Sequence, residues 1–242
     1  MTRKVFVGTP CYDGRADVWY INSLLQTQRM APEHDVEIIP IWLSYDALIQ
    51  RARNDCMALA REMDCDDIIF IDSDLEWQPE WFFQLLNHPV DVVGGTYRKK
   101  TDQQEVYVAK IKDLSLIAPD PKTGLMLVDG LGTGFLRLSK RAQEWLWNNS
   151  AEYNEPETHK LRRWIFEVVV ENGNLISEDI LLCRKLQQNG FDIWLDPHMT
   201  LSHIGIKKFQ GDFLYWLAQL RDTQQVVQSS HPALDKWKDL YK

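Results

Sequence analysis

Asp72-Ser73-Asp74 closes a short apolar run, Asp67-Ile68-Ile69-Phe70-Ile71, so two carboxylates stand one residue apart at the mouth of what reads as a buried strand. Acidic side chains gain nothing from packing there. They suit a hard divalent cation, which takes oxygen from one or two carboxylates and fills its shell with substrate phosphates. The chemistry on offer is the holding of a nucleoside diphosphate. His203, in Leu201-Ser202-His203-Ile204-Gly205, adds an imidazole able to complete a Mn²⁺ shell.

Three further groups carry polar chemistry. Arg51-Ala52-Arg53-Asn54 lies on the helix before that strand. Arg51 reads as part of a solvated face, whereas the Arg53 guanidinium and the Asn54 amide suit phosphate and base edges. Glu178-Asp179 opens a helix, where the dipole favours carboxylates and where one of them can also act as general base on an acceptor hydroxyl. Gly130-Leu131-Gly132-Thr133-Gly134 is followed by no Lys-Ser/Thr and does not open the first helix, so it is neither a Walker loop nor a dinucleotide fingerprint. It reads either as a flexible strand connection or as a close backbone approach to a sugar.

The elements that must position these groups alternate in the first half. Val5-Phe6-Val7 is a strand ended by Gly8-Thr9-Pro10, and Asp17 caps a helix through Leu25. Val36 to Trp42 is the second strand. From Asp46, the residues Leu48, Ala52, Cys56, Leu59, Ala60 and Met63 recur at helical spacing. The strand Ile68–Ile71 follows, then a helix opened by Pro79, then the strand Val90–Val93 stopped by Gly94-Gly95. Alternation of this kind predicts a mostly parallel sheet covered by helices, with ligands outside the carboxyl ends of its strands.

The second half reads as a smaller β region. Glu105–Lys110, Leu114–Ala118 and Leu125–Val128 are expected strands, with Asp120 to Gly124 as a turn. Phe135–Leu138 leads to a helix capped by Ser139 and reaching Trp147. Residues 148–163 read as a mobile polar loop. Ser177 caps a helix stopped by Gly190, and Phe213 to Val227 forms the last one. The expectation is one α/β domain over 1–242, with a nucleotide-binding half at 1–100, an acceptor half at 101–210 and a C-terminal helix at 211–242. Trp19, Trp42, Trp81, Trp145 and Trp216 read as core; Trp77, Trp164 or Trp194 could stack on a sugar face.

Composition narrows the class. A chain of 242 residues with 45% hydrophobic and 26% charged residues is ordinary for a globular domain. A net charge of −8 argues against broad nonspecific nucleic-acid binding, though not against a local basic groove. Tyr97-Arg98-Lys99-Lys100 is such a local cluster, either a solvated loop or a contact for a phosphate-bearing acceptor through Lys99. Cys11, Cys56, Cys65 and Cys183 form no Cys-x-x-Cys pair and suit buried thiols in a reducing cytosol. The run after Arg3-Lys4 is too short for a signal peptide and no run reaches membrane-spanning length, so a cytoplasmic location is expected.

Together these pieces resemble a nucleotide-sugar glycosyltransferase of the GT-A fold, of the family 2-like kind and compact in the manner of viral and bacteriophage members. The resemblance runs from Thr9-Pro10 through Ala52-Arg53-Asn54, Asp72-Ser73-Asp74, Gly132-Thr133-Gly134-Phe135 and Ser177-Glu178-Asp179 to His203-x-Gly205, nearly the whole chain. It implies a GT-A-type, Rossmann-like sheet and a Mn²⁺- or Mg²⁺-dependent transfer of sugar from a UDP- or GDP-sugar to an acceptor hydroxyl. By the same resemblance Asp72, Asp74 and His203 hold the metal. Thr9, Pro10, Arg53, Asn54, Asp72 and Ser73 contact the donor. Gly132, Thr133 and Gly134 pass near donor sugar or acceptor. Asp179, with Glu178 beside it, is the base in inverting members; in retaining members the pair binds sugar hydroxyls instead. A glycan or a hydroxymethylated DNA base is the expected acceptor. Two rival readings remain at this stage. A nucleotidyltransferase would want a Gly- and Lys-rich loop after the first strand, which Gly8-Thr9-Pro10-Cys11-Tyr12-Asp13 does not supply. A sugar-nucleotide-binding protein would bind without turnover.

Overall fold

β-Branched and aromatic residues dominate the runs that form the sheet, and their alternation decides which helices cover each face. In the computed structural model, which describes residues 2–102, 105–111, 118–155, 158–205 and 207–227, the elements follow in the order β1 (Arg3–Cys11), α1 (Val18–Met30), β2 (Val36–Ser44), α2 (Ile49–Glu62), β3 (Asp67–Ile71), β4 (Leu75–Glu76), α3 (Pro79–Asn87) and β5 (Val92–Tyr97). The second half holds β6 (Ala109–Lys110), β7 (Met126–Leu127), β8 (Gly130–Leu131), β9 (Phe135–Ser139), α4 (Lys140–Asn148), β10 (Ala151–Asn154) and β11 (Leu161–Trp164). It ends with β12 (Val169–Glu171), β13 (Asn174–Ile176), α5 (Glu178–Gln187), β14 (Trp194–Ile204), β15 (Lys208–Phe209) and α6 (Phe213–Val227).

The central sheet runs β15-β14-β5-β9-β3-β1-β2, with β4 and β7 also pairing β14. β2, β1 and β3 are parallel neighbours, as are β5 and β14, and β9 lies antiparallel between β3 and β5. That one reversal matters for function. A reversed strand begins at the edge where its parallel neighbours end, so Gly134, just before β9, meets Asp72, just after β3: Asp72 N donates to Gly134 O at 3.0 Å.

Side-chain alternation splits the core. Val5, Val7, Ile69, Ile71 and Val93 face one way, against Tyr20 and Leu24 of α1 and Phe82, Leu85 and Leu86 of α3. Phe6, Ile68, Phe70, Leu136 and Leu138 face the other, with Cys56 and Met57 of α2, Leu146 of α4, Leu182 and Leu186 of α5 and Phe213 of α6. Each such side chain, withdrawn fully from water, contributes about 1.5–3 kcal/mol.

Several expectations change. β1 continues through Thr9 and Pro10 to Cys11 beside β2, whereas β3 leaves it at Gly8. Pro10 is tolerated there because that edge no longer has a ladder bond to lose. Gly94 and Gly95 lie inside β5 rather than ending it. A Cβ on Gly94 would stand 2.6 Å from the Phe135 carbonyl of β9, so the glycine permits the close strand approach. Asp46 precedes α2 as a turn residue, accepting from Leu48 N at 2.8 Å. Of the polar stretch 148–163, the described residues form the hairpin β10–β11, pinned to α2 by Arg162 donating to Asp55 at 2.7 Å. The Glu105–Lys110 strand contracts to β6, and the Leu114–Ala118 strand falls almost wholly outside the described residues. The β12–β13 hairpin was not foreseen. Trp19 and Trp42 are 46% and 41% exposed rather than core, while Trp77 is buried against Tyr20 and donates to Thr27 Oγ1 at 3.0 Å, which leaves no face for a sugar.

Candidate functional site

Chain geometry fixes the acidic motif from three sides. Asp72 is held by the Gly134 carbonyl, the Ser73 carbonyl accepts from Asp17 N at the start of α1 (2.8 Å), and the Asp74 carbonyl accepts from Ile204 N (2.8 Å). β4 then pairs antiparallel with β14, setting Leu75 opposite His203. The histidine is thus delivered next to Asp74 by strand register.

The orientation of His203 follows from one hydrogen bond. Nδ1 lies 2.9 Å from the Arg98 carbonyl oxygen, which can only accept, so Nδ1 carries the proton. Nε2 then faces Asp74 Oδ1 at 3.6 Å. A carbonyl fixing the far nitrogen is the usual outer support of a metal-binding histidine. The other oxygen, Asp74 Oδ2, is paired with the Lys100 ammonium. Burial opposes charge on Asp74, yet His203 and Lys100 beside it hold its carboxyl below the usual range.

Asp72 belongs to a second, deeper network. Arg53 of α2 donates through Nη2 to Asp72 Oδ1 at 3.1 Å and through Nη1 to Glu178 Oε1 at 2.5 Å. The guanidinium is buried, which opposes its charge, but Asp72 and Glu178 more than compensate and keep it ionised. Tyr97 packs into the same region. Burial and the Asp72 charge raise its phenol well above the ordinary value, so it stays neutral. A Cβ on Gly134 would run into the Tyr97 hydroxyl and stand 2.7 Å from Asp72 Oδ2; one on Gly132 would stand 2.8 Å from the same hydroxyl. The glycines serve the Asp72 carboxylate and Tyr97 through this close approach.

A cleft of about 270 Å³ opens over the motif, lined by Pro10, Tyr12, Asp46, Ala47, Ile49, Asp72, Ser73, Asp74 and His203. It lies at the carboxyl ends of β1 and β3, where ligands bind in sheets of this kind. Five of the expected site residues line it: Pro10, Asp72, Ser73, Asp74 and His203. Tyr12, Asp46, Ala47 and Ile49 were not anticipated; the exposed tyrosine directly after β1 was the available signal.

Other expected residues sit elsewhere. Thr9 is buried, its hydroxyl 2.6 Å from that of Tyr20. Asn54 is buried too, and its amide is spent on backbone: Oδ1 accepts from Ile165 N and Phe166 N at 3.0 and 2.8 Å, and Nδ2 donates to Phe166 O at 3.2 Å. Gly132, Thr133 and Gly134 are buried behind Asp72 and do not line the cleft. Lys99 is exposed, its backbone N–H bonded to Val106 O at 2.8 Å. Asp179 stands at the start of α5, accepting from its neighbour Ser177 and from Ile180 N at 2.7 Å, outside the cleft. The Ser177 hydroxyl is spent on Asp179 and does not cap the helix. Of the pair, Glu178 turns inward to Arg53.

The donor set can be tested for a divalent cation on its chemistry. Asp74 Oδ1 and His203 Nε2 are a hard oxygen and an imidazole nitrogen at a separation one cation can bridge. Among the described residues, no three His, Cys, Asp or Glu side chains form a ready-made cage. The arrangement fits a cation held by one or two protein groups and completed by phosphate, which is how Mg²⁺ is usually bound. Among the described residues no helix is long and apolar enough to cross a membrane.

No protein-family model and no curated protein matches the sequence. Among solved structures the chain is similar to A197 from STIV, with 18% identity, a TM-score of 0.53, and coverage of 84% of this chain and 86% of that one. Two weaker likenesses are a glycosyltransferase involved in the glycosylation of the major capsid of PBCV-1 (12% identity, TM-score 0.34, 60% of this chain and 65% of that) and S. aureus TarS 1-349 in complex with UDP (14%, 0.39, 79% and 57%). The architecture is a mixed α/β sheet flanked by helices, and its fold is similar to that of A197 from STIV.

Proposed function

We propose that this protein is a metal-dependent glycosyltransferase that moves a sugar from a nucleoside-diphosphate sugar, UDP- or GDP-linked, to an acceptor hydroxyl. The observation that carries this reading is the meeting of Asp72, Asp74 and an oriented His203 in one cleft at the carboxyl edge of the sheet. Mn²⁺ or Mg²⁺, held by Asp74 and His203 with Asp72 behind them, would supply charge neutralisation for the leaving diphosphate.

The chain's own residues divide the remaining work. Pro10, Tyr12, Asp46 and Ile49 form the walls against which the nucleoside lies. Arg53 holds Asp72 in place and ties it to Glu178. In the transfer, the acceptor oxygen bonds to the anomeric carbon as the bond from that carbon to the phosphate oxygen breaks, and the diphosphate leaves with the bonding pair. Where configuration inverts, Asp179 takes the acceptor's proton. The acceptor is a hydroxyl of a glycan or of a hydroxymethylated DNA base.

A panel of UDP- and GDP-sugars, assayed for donor hydrolysis and for transfer to glycan and hydroxymethylated-DNA acceptors with Mn²⁺, tests the reading. Turnover should vanish with EDTA and in Asp74→Ala. Nucleoside diphosphate binding that is indifferent to both treatments would overturn it.

A further inference from the structure

The segment Arg98–Lys100 touches both of the groups assigned to the cation. Its Arg98 carbonyl fixes the His203 ring, and its Lys100 ammonium sits on Asp74 Oδ2, while His203 Nε2 faces Asp74 Oδ1. The backbone that delivers Lys100 is itself anchored: Lys99 N donates to Val106 O at 2.8 Å, and Arg98 pairs with Tyr107 in an isolated bridge. The lysine stem is seated as well. It passes over Gly205, where a Cβ would stand 3.2 Å from Lys100 Cδ and 3.7 Å from Cε. Lys100 is thus a positively charged group placed on the carboxylate that a divalent cation would need.

We propose that Lys100 is a tethered competitor of the divalent cation at Asp74, and that once displaced it pairs with the donor's diphosphate, so that cation and nucleotide bind cooperatively. The inference rests on the metal-site reading above and adds a role for a residue outside the expected ligand set. Electrostatics makes both halves follow. One carboxylate cannot serve an ammonium on Oδ2 and a dication on Oδ1 at full strength, since the two cations repel across a few ångströms. An ammonium on a flexible four-carbon stem, released next to a cleft that receives a diphosphate, finds a compact anion to pair with. A ligand that removes the competitor from Asp74 raises the other ligand's affinity by the same factor in both directions.

The test measures Mn²⁺ binding by the electron paramagnetic resonance signal of free Mn²⁺, with and without UDP, in the wild type, Lys100→Met and Lys207→Met. Lys207 lies close by in sequence to Gly205, pairs with Asp102 rather than Asp74, and controls for loss of local charge. Lys100→Met should bind Mn²⁺ alone about two- to fivefold more tightly, as expected for removing one partly exposed ion pair, and should lose most of the mutual enhancement between Mn²⁺ and UDP. Lys207→Met should do neither. Unchanged or weaker Mn²⁺ binding in Lys100→Met, or equal tightening in Lys207→Met, overturns the competition. Failure of the metal site itself gives a different signature: no Mn²⁺ bound by the wild type, or binding unaltered by Asp74→Ala, which overturns both readings together.

Discussion

Arg53 joins Glu178 at 2.5 Å across more than half the length of the chain, and the same guanidinium holds Asp72. A buried cation shared by two carboxylates is stable only while both remain. Arg53→Leu should therefore cost about 3–5 kcal/mol, because two carboxylates lose their partner in a poorly solvated place. Arg53→Lys should recover only part of this, since one ammonium cannot copy a fork that reaches two carboxylates. Urea denaturation of both variants checks the ranking.

Gly134→Ala introduces a methyl group where the Tyr97 hydroxyl and Asp72 Oδ2 already stand. The variant should fold but displace Asp72 and weaken Mn²⁺-dependent UDP binding by about tenfold or more, the effect of a misplacement near 1 Å at a preorganised site. Adding Tyr97→Phe removes the nearest of three crowding atoms, leaving the ring Cζ at 2.7 Å, and should restore part of the loss. Calorimetric titration of the single and double variants measures it; no rescue would place the clash elsewhere.

Asn54→Ala should lower stability by about 2–3 kcal/mol, because it strands buried backbone groups at Ile165 and Phe166. Its effect on nucleotide affinity, measured on the folded fraction, should be small. A large affinity loss with unaltered stability would restore the nucleoside-contact role expected from sequence.

Asp91 gives a pH dependence with a definite sign. Arg141 first, and then the Ser139 hydroxyl at 2.6 Å, hold its carboxyl below the usual range in spite of partial burial. A depressed folded-state pKa means the contribution is present above the ordinary carboxylate range and disappears as pH falls through the folded value. Asp91→Asn should therefore narrow the stability difference between pH 7 and pH 3, and thermal melts across that range read it directly.

The sheet and its covering helices were legible because they rest on local patterns: apolar runs, the helical stripe at Ala52, Cys56 and Ala60 (though its expected ends, Leu48 and Met63, are exposed caps), and caps such as Asp17 and Ser139, both of which accept the backbone bonds expected of them. The acidic motif and His203 were legible because side chains of those types at strand ends have few packing uses. What could not be read was set by partners distant in sequence. Asn54 looks like a ligand group until Phe166 is folded onto it. Gly94 looks like a strand stop until β9 lies beside it. Lys100 looks like one member of a basic cluster until Asp74 and Gly205 come to meet it. Thr9 and Trp77 turned inward for the same reason, each taken up by a hydroxyl or ring of another element.

The pairing of Leu75 with His203 also fixes when the cleft can come into being. Those two positions are separated by more than half the chain, and β14 also pairs with β5. Contacts that close such long loops form slowly. On an emerging polypeptide, the acidic motif is therefore made long before its histidine, and the binding cleft is one of the last features to mature.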